Sequence, residues 1–126
     1  MAQYLVFFEA PGDGWHVERE SLLDGLAAAW PGATFAPASE MGRTEMRDIG
    51  WTYVLGESSI ECWSDKSGLG LQLDGDDELA IRFAAWFRGL VRGNTKVTFC
   101  DDMYTFEVDV PFGASAEDVA RRCSEL

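Results

Sequence analysis

Apolar residues recur along this chain with two different periods, and each period predicts a different kind of element. The nearly continuous apolar run YLVFFEA at 4–10 predicts a first strand that is central and covered. Residues 20–32 repeat their apolar positions at helical spacing and end at a Pro-Gly pair, which predicts the first helix. The segment ATFAPA at 33–38 predicts an edge strand, because Pro37 lacks the N–H that a central strand donates.

Three runs with a period of two follow at 51–55, 59–64 and 68–73, separated by short turn segments, and they predict an antiparallel meander. Turns at 56–59 and 65–68 would place Tyr53 opposite Cys62 and Cys62 opposite Leu71. One face would then carry the apolar side chains expected in the core, namely Trp51, Tyr53, Leu55, Ile60, Cys62, Leu69, Leu71 and Leu73.

A second helix is predicted over residues 77–92, with Asp76 as its N-cap. Its apolar positions recur at helical spacing, so this helix should pack on the apolar face of the meander. A shorter C-terminal helix should begin after Ser115, with Asp118 in the third helical position of a capping box. The apolar positions of the second helix are Leu79, Phe83, Phe87 and Leu90.

The segment KVTFCDDMYTFEVDV at 96–110 places two aspartates between two alternating apolar runs. A two-residue turn at Asp101 and Asp102 would place Phe99 opposite Tyr104, and the aspartates would be turn residues rather than metal ligands. The core face of this hairpin would carry Val97, Phe99, Tyr104, Phe106, Val108 and Val110.

These elements predict one α+β domain spanning residues 1–126. It consists of a largely antiparallel sheet of five to seven strands with about three helices packed on one face. A split βαβ, ferredoxin-like arrangement is left open, because strand order cannot be read from a single sequence.

The charge balance narrows the class of partner. Twenty-two acidic residues against ten Lys and Arg give a formal net charge of -12. Such a surface disfavours nucleic acid, whose binding depends on basic residues, and favours a basic protein partner.

No apolar run reaches membrane-spanning length and no signal peptide is recognisable, so a cytoplasmic location without membrane contact is expected. Three widely spaced cysteines agree with reduced thiols there; oligomeric state is left open.

The sequence offers no assignable catalytic constellation and implies no cofactor. His16 is the only histidine, in a predicted loop, and no G-x-S-x-G or H-E-x-x-H motif accompanies it. The aperiodic segment 39–50, which contains Met41, Arg43, Met46 and Arg47, is long for a loop in a compact domain. A small-ligand or regulatory domain with a pocket beside this segment is therefore one alternative function, and an enzyme of unrecognised type is another.

Residues 59–118 contain LDGDDELAIRFAAWFRGLV followed by VTFCDDMYTFEVDVPFGASAEDV. This part of the chain resembles small uncharacterised bacterial proteins, some of which are immunity proteins encoded beside secreted toxins. The resemblance implies a cytoplasmic inhibitor that occludes the active site of a basic toxin, and it transfers no binding residue.

The candidate binding surface lies on the sheet face turned away from the helices. Trp63 is the one large apolar side chain that the period of two places there, opposite Gly70. A Trp among carboxylates is typical of an interface anchor that electrostatics steers toward a basic partner. The alternative is that Trp63 only covers Gly70. The predicted binding residues are Trp63, Glu61, Gln72, Glu107 and Asp109.

Overall fold

The computed structural model describes residues 3–37 and 47–125, which form seven strands and three helices. Most of the segment 39–50 lies outside the described residues. Its last four residues belong to a strand and not to a loop, contrary to the sequence prediction. The elements are β1 (Gln3–Phe7), α1 (Arg19–Ala29), β2 (Thr34–Pro37), β3 (Arg47–Leu55), β4 (Ser58–Asp65), β5 (Gly70–Gly75), α2 (Asp77–Arg88), β6 (Thr98–Asp101), β7 (Glu107–Asp109) and α3 (Ala116–Ser124).

The strands form one antiparallel sheet in the order β2-β3-β4-β5-β1-β6-β7, which confirms the predicted α+β class. β1 is central and β2 is an edge strand, as the apolar run and Pro37 indicated. The chain order β1-α1-β4-β5-α2-β6 combined with the spatial order β4-β5-β1-β6 is the split βαβ, ferredoxin-like arrangement. Hairpin β2-β3 extends this unit at one edge and β7 extends it at the other.

The predicted registers of the meander are wrong by two residues at each turn. Gly56, with φ 63, and Glu57 form a two-residue turn, so Tyr53 lies opposite Ile60 rather than Cys62. Cys62 lies opposite Leu73. Because each shift is an even number of residues, the side chains at the paired positions keep their predicted faces of the sheet. Two side chains expected in the core differ: Leu55, at the end of β3, is 46% exposed, and Leu69 precedes β5 and lines a surface recess.

The hairpin from β6 to β7 has a longer loop than predicted. Phe99 lies opposite Val108 rather than Tyr104. The last pair is Cys100 with Glu107, so residues 101–106 connect the two paired segments. Asp101 ends β6, and its carboxylate accepts hydrogen bonds from the backbone N–H of Thr105 at 2.7 Å and from the Thr105 hydroxyl. Tyr104, expected in the core, is 59% exposed.

The three helices pack on one face of the sheet. Helix α2 contacts β4, β5 and β1, while α3 contacts α2 and β7. Asp76 accepts a hydrogen bond from the backbone N–H of Leu79, and Ser115 forms a capping box with Asp118, so both predicted caps are confirmed. In the core, the Phe83 ring stacks on Trp30 with centroids 4.0 Å apart.

Helix α2 ends at Arg88, four residues before its predicted end at Arg92. The Arg88 side chain is only 2% exposed, and its guanidinium donates to four backbone carbonyl oxygens just beyond the helix. The negative end of the helix dipole favours a cation at this place. The acceptors are the carbonyls of Val91 (3.1 Å), Arg92 (3.3 Å), Gly93 (3.2 Å) and Thr95 (2.9 Å).

Candidate functional site: the open face of the sheet

None of the described helices covers the sheet face opposite the core, which we call the open face. Its strand residues include Leu5, Phe7, Thr52, Glu61, Trp63, Asp65, Gln72, Asp74, Thr98, Glu107 and Asp109. Five of these residues are acidic. The described cations on or beside this face are Arg47, on β3, Lys96, which lies 3.5 Å from Asp109, and Arg121 and Arg122 of α3, which line a recess of about 590 Å³ with Glu107, Asp109 and Glu125 at its β7 edge. The open face therefore carries an excess of negative charge.

Trp63 lies on the open face, but it is not the exposed side chain that the sequence predicted. Only 4% of it is exposed, since the Arg47 guanidinium lies over its ring at 3.8 Å. Its indole N–H donates to Gln72 Oε1, directly across the strand pair. Trp63 is opposite Gln72 rather than Gly70, so it does not serve to cover that glycine. Trp63 is therefore a buried residue whose ring lines a recess in the open face.

The predicted carboxylates do not form a ring around Trp63. Glu61 is its neighbour on the same face of β4, two residues along the strand. Glu107 lies on β7, which is four strands away from β4 in the sheet. At ordinary strand spacing Glu107 is therefore about 19 Å from Trp63. Asp109 is equally distant in strand order and pairs with Lys96. The five predicted residues thus share one face without converging on one point.

Beside Trp63 the open face contains a groove of about 370 Å³. Leu5, Phe7 and Leu69 give it an apolar lining, and Arg47 and Asp65 line it as well. Gly70 is required there by the close approach of β1, because a Cβ on residue 70 would meet the Val6 carbonyl oxygen at 2.7 Å. Most of the side chains that line the groove are apolar.

Tyr104 lines the same groove from the loop between β6 and β7. Its φ of 55 is left-handed, a conformation that is rare for an aromatic residue. The turn is held by a hydrogen bond from the Tyr104 N–H to the Asp101 carbonyl at 3.1 Å. Hydrogen bonding from Thr105 lowers the pKa of the Asp101 carboxyl, which favours the ionised acceptor of these bonds. Strain of this kind accumulates at ligand clamps and switch regions.

Sequence reasoning missed the residues that make the groove. Leu5 and Phe7 belong to the apolar run of β1, which was expected to be covered, yet both are only partly buried. Arg47 falls in the segment 39–50, which the sequence marked as a candidate binding loop. Tyr104 was assigned to the core. The period of two in a strand places Leu5 and Phe7 on the face opposite Tyr4 and Val6, so the apolar run itself could have indicated apolar side chains on the open face.

Other clusters in the described ranges offer less chemistry. No group of three or more His, Cys, Asp and Glu side chains there is arranged to hold a metal ion. His16 lies 3.7 Å from Glu18 beside a cavity of about 140 Å³. Burial raises the pKa of the Cys62 thiol, and burial raises that of Cys100 to about 11, which makes both poor nucleophiles.

Comparison with known proteins adds no relative: no family model matches the chain, and no significant match appears among curated proteins or solved structures. Within residues 3–37 and 47–125, no helix has the length and apolar character needed to cross a membrane.

Proposed function

We propose that this protein is an acidic binding module that holds a basic protein partner on its open face. The observation that carries the proposal is the excess of carboxylates, including Glu61, Glu107 and Asp109, on a sheet face that no described helix covers. Carboxylates spread across a face steer a basic partner and fix its orientation, while a nearby apolar recess supplies contact area. In its most specific form the module acts in the cytoplasm as an immunity protein that occludes the active site of a basic toxin.

The test compares two double charge reversals that change the net charge equally. Glu107→Lys with Asp109→Lys alters the open face, and Glu20→Lys with Asp24→Lys alters exposed positions on α1. Proteins that copurify from the native host are identified, and a basic candidate is produced for kinetic measurements. We expect the open-face reversal to slow association at least about tenfold at low salt, and the α1 reversal to have a much smaller effect.

Equal effects of the two reversals, or a partner that is not basic, would refute the proposal. The inhibitory form is tested with the same purified partner. If the partner is an enzyme, a stoichiometric amount of this protein should abolish its activity, and an unaffected activity would limit the function to binding.

A small ligand in the groove is the second candidate function. The groove volume of about 370 Å³ favours this function, because ligand sites range from about 300 to 1,000 Å³. Arg47 favours it as well, since it lines the groove and belongs to the segment 39–50, beside which a ligand pocket was expected. Native mass spectrometry of protein purified from its host tests this alternative. A bound small molecule that Leu5→Asp removes would support it.

A further inference from the structure

The polar groups of the groove are largely engaged within the protein. The Trp63 indole N–H is bonded to Gln72 Oε1. The Asp65 carboxylate accepts the backbone N–H of Ser67 at 3.0 Å and also the Ser67 hydroxyl. An apolar occupant leaves these internal hydrogen bonds intact and buries its surface against Leu5 and Phe7, so the lining favours an apolar group.

The size of the groove limits its occupant. A volume of about 370 Å³ is near the lower end of the range for ligand sites, which suits one large side chain better than an extended cofactor. Leu5 and Phe7 offer apolar contact, and the Tyr104 ring borders the same space. An aromatic or long aliphatic side chain would bury its surface against all three residues.

Charge around the groove restricts the residues beside such a side chain. Glu61 and Asp74 are opposite each other on adjacent strands, and the groove itself is lined by one carboxylate, Asp65, and one cation, Arg47, whose guanidinium lies over the Trp63 ring. The chain as a whole carries a formal charge of -12. Because Glu61, Asp65 and Asp74 outnumber Arg47 around the groove, Lys or Arg next to the apolar side chain would be attracted, whereas Asp or Glu would be repelled.

From these observations we propose that the groove is an anchor pocket for one aromatic or large aliphatic side chain within a basic segment of the partner protein. The inference rests on the proposed function and adds the chemistry of the partner segment. Tyr104 forms one wall of the pocket, and its left-handed backbone holds the ring in place. Burial of the anchoring side chain provides binding affinity, and the surrounding carboxylates orient the partner and raise its association rate.

Three blocked pentapeptides test the pocket directly: KKFKK, KKAKK and EEFEE, titrated at low salt into isotopically labelled protein and followed by NMR. We expect KKFKK to bind at least about tenfold more tightly than KKAKK, a difference of about 1.4 kcal/mol. EEFEE should not bind. The signals that move should belong to Leu5, Phe7, Gln72 and the Trp63 indole.

Two single variants separate the pocket from the rest of the loop. Tyr104→Asn removes the ring but tolerates the left-handed backbone, so the fold should be retained and the preference for KKFKK lost. Met103→Ala is the matched control, because Met103 is 75% exposed on the same loop and does not line the groove. It should leave the preference intact.

Equal binding of KKFKK and KKAKK, binding of neither, or shifts away from the groove would overturn the inference. Binding of uncharged N-acetylphenylalanine amide as tight as that of KKFKK would also overturn it, by assigning the groove to small ligands. These outcomes are separate from the proposed function, which is decided by the charge reversals at Glu107 and Asp109 with the full partner.

Discussion

Arg88 shows how a single residue ends a helix and closes a turn. Its buried guanidinium gathers carbonyl oxygens from four residues after α2, and burial lowers its pKa without removing the charge. A buried carbonyl that loses its donor costs about 1–3 kcal/mol. The side chain is therefore a structural cation and not a candidate for partner binding.

Arg88→Met should keep most of the apolar stem but leave the carbonyl oxygens without a donor. We expect the free energy of unfolding to fall by at least about 2 kcal/mol, measured by urea denaturation. Arg82→Met is the control on the same helix, since Arg82 is exposed and pairs with the exposed carboxylate of Glu78. Similar losses for the two variants would mean that the Arg88 hydrogen bonds contribute little.

The adjacent aspartates at the end of β6 are predicted to act in the loop and not on a metal. Asp101→Asn combined with Asp102→Asn keeps an acceptor oxygen for Thr105, so the Tm should change little. The same Tm is expected with added calcium or with EDTA, by differential scanning fluorimetry. A calcium-dependent rise in Tm that the two substitutions abolish would contradict this prediction.

At the scale of elements, α2 is the helix on which the sheet packs. Phe83 is fully buried among Trp30, Trp51 and Tyr53. Phe83→Ala should lower the free energy of unfolding by about 3–5 kcal/mol, because it removes apolar contact and leaves a cavity.

Chemical denaturation of Phe83→Ala beside Arg82→Ala checks the assigned face of the helix. Arg82 is exposed, so its loss should cost less than about 1 kcal/mol. A mild effect at Phe83 would place the core on another side of α2.

The capping box of α3 makes the stability of that helix depend on pH. The backbone N–H of Ser115, its side chain and Arg121 lower the pKa of the Asp118 carboxyl below its usual 3.8. Because the folded pKa is depressed, the stabilisation is fully present above pH 3.8 and is lost as the pH falls through the folded pKa.

Asp118→Ala should therefore lower the Tm at pH 7, and the difference from the parent protein should shrink as the pH falls below 3.8. Glu117→Ala is the control from the same helical turn. The Glu117 carboxylate also interacts favourably with the helix dipole, but it does not form the capping hydrogen bonds. A difference in Tm that is constant with pH would show that the ionised cap does not stabilise the helix.

The elements were predictable to the extent that they follow from local spacing. The period of two assigned the faces of the sheet correctly even where registers were wrong, because the errors at the turns near Gly56 and Gly68 were even numbers of residues. Turn length depends on a few backbone dihedral angles, such as the positive φ of those glycines, and the spacing of apolar residues does not reveal them.

The candidate site was less predictable because it depends on contacts between distant segments. Trp63 was placed on the correct face, but its burial comes from Arg47, in a segment that shows no period. Glu107 and Asp109 were correctly placed on the same face, but their distance from Trp63 follows from the strand order. Strand order reflects packing of the whole sheet, which alternation within one strand cannot specify.

For the molecule as a whole, net charge should govern the response to salt. A formal charge of -12 on a chain of 126 residues generates self-repulsion that opposes the compact state. Raising sodium chloride from about 0.01 M to about 1 M shortens the screening length from about 30 Å to about 3 Å, so the Tm should rise. Glu20→Lys with Asp24→Lys should show a smaller rise. A falling Tm would indicate that ion pairs such as Arg92 with Asp13 outweigh the repulsion.

The central position of β1 has a consequence for how the chain folds as it leaves the ribosome. Tyr4 pairs with Leu73 on one side and with Asp101 on the other, so both neighbours of β1 are synthesised long after it. The hairpins of the meander can form early from local contacts, whereas β1 has to wait for distant segments. Until β6 emerges, one edge of this apolar strand lacks its native partner, which makes the unfinished chain a potential client for chaperones.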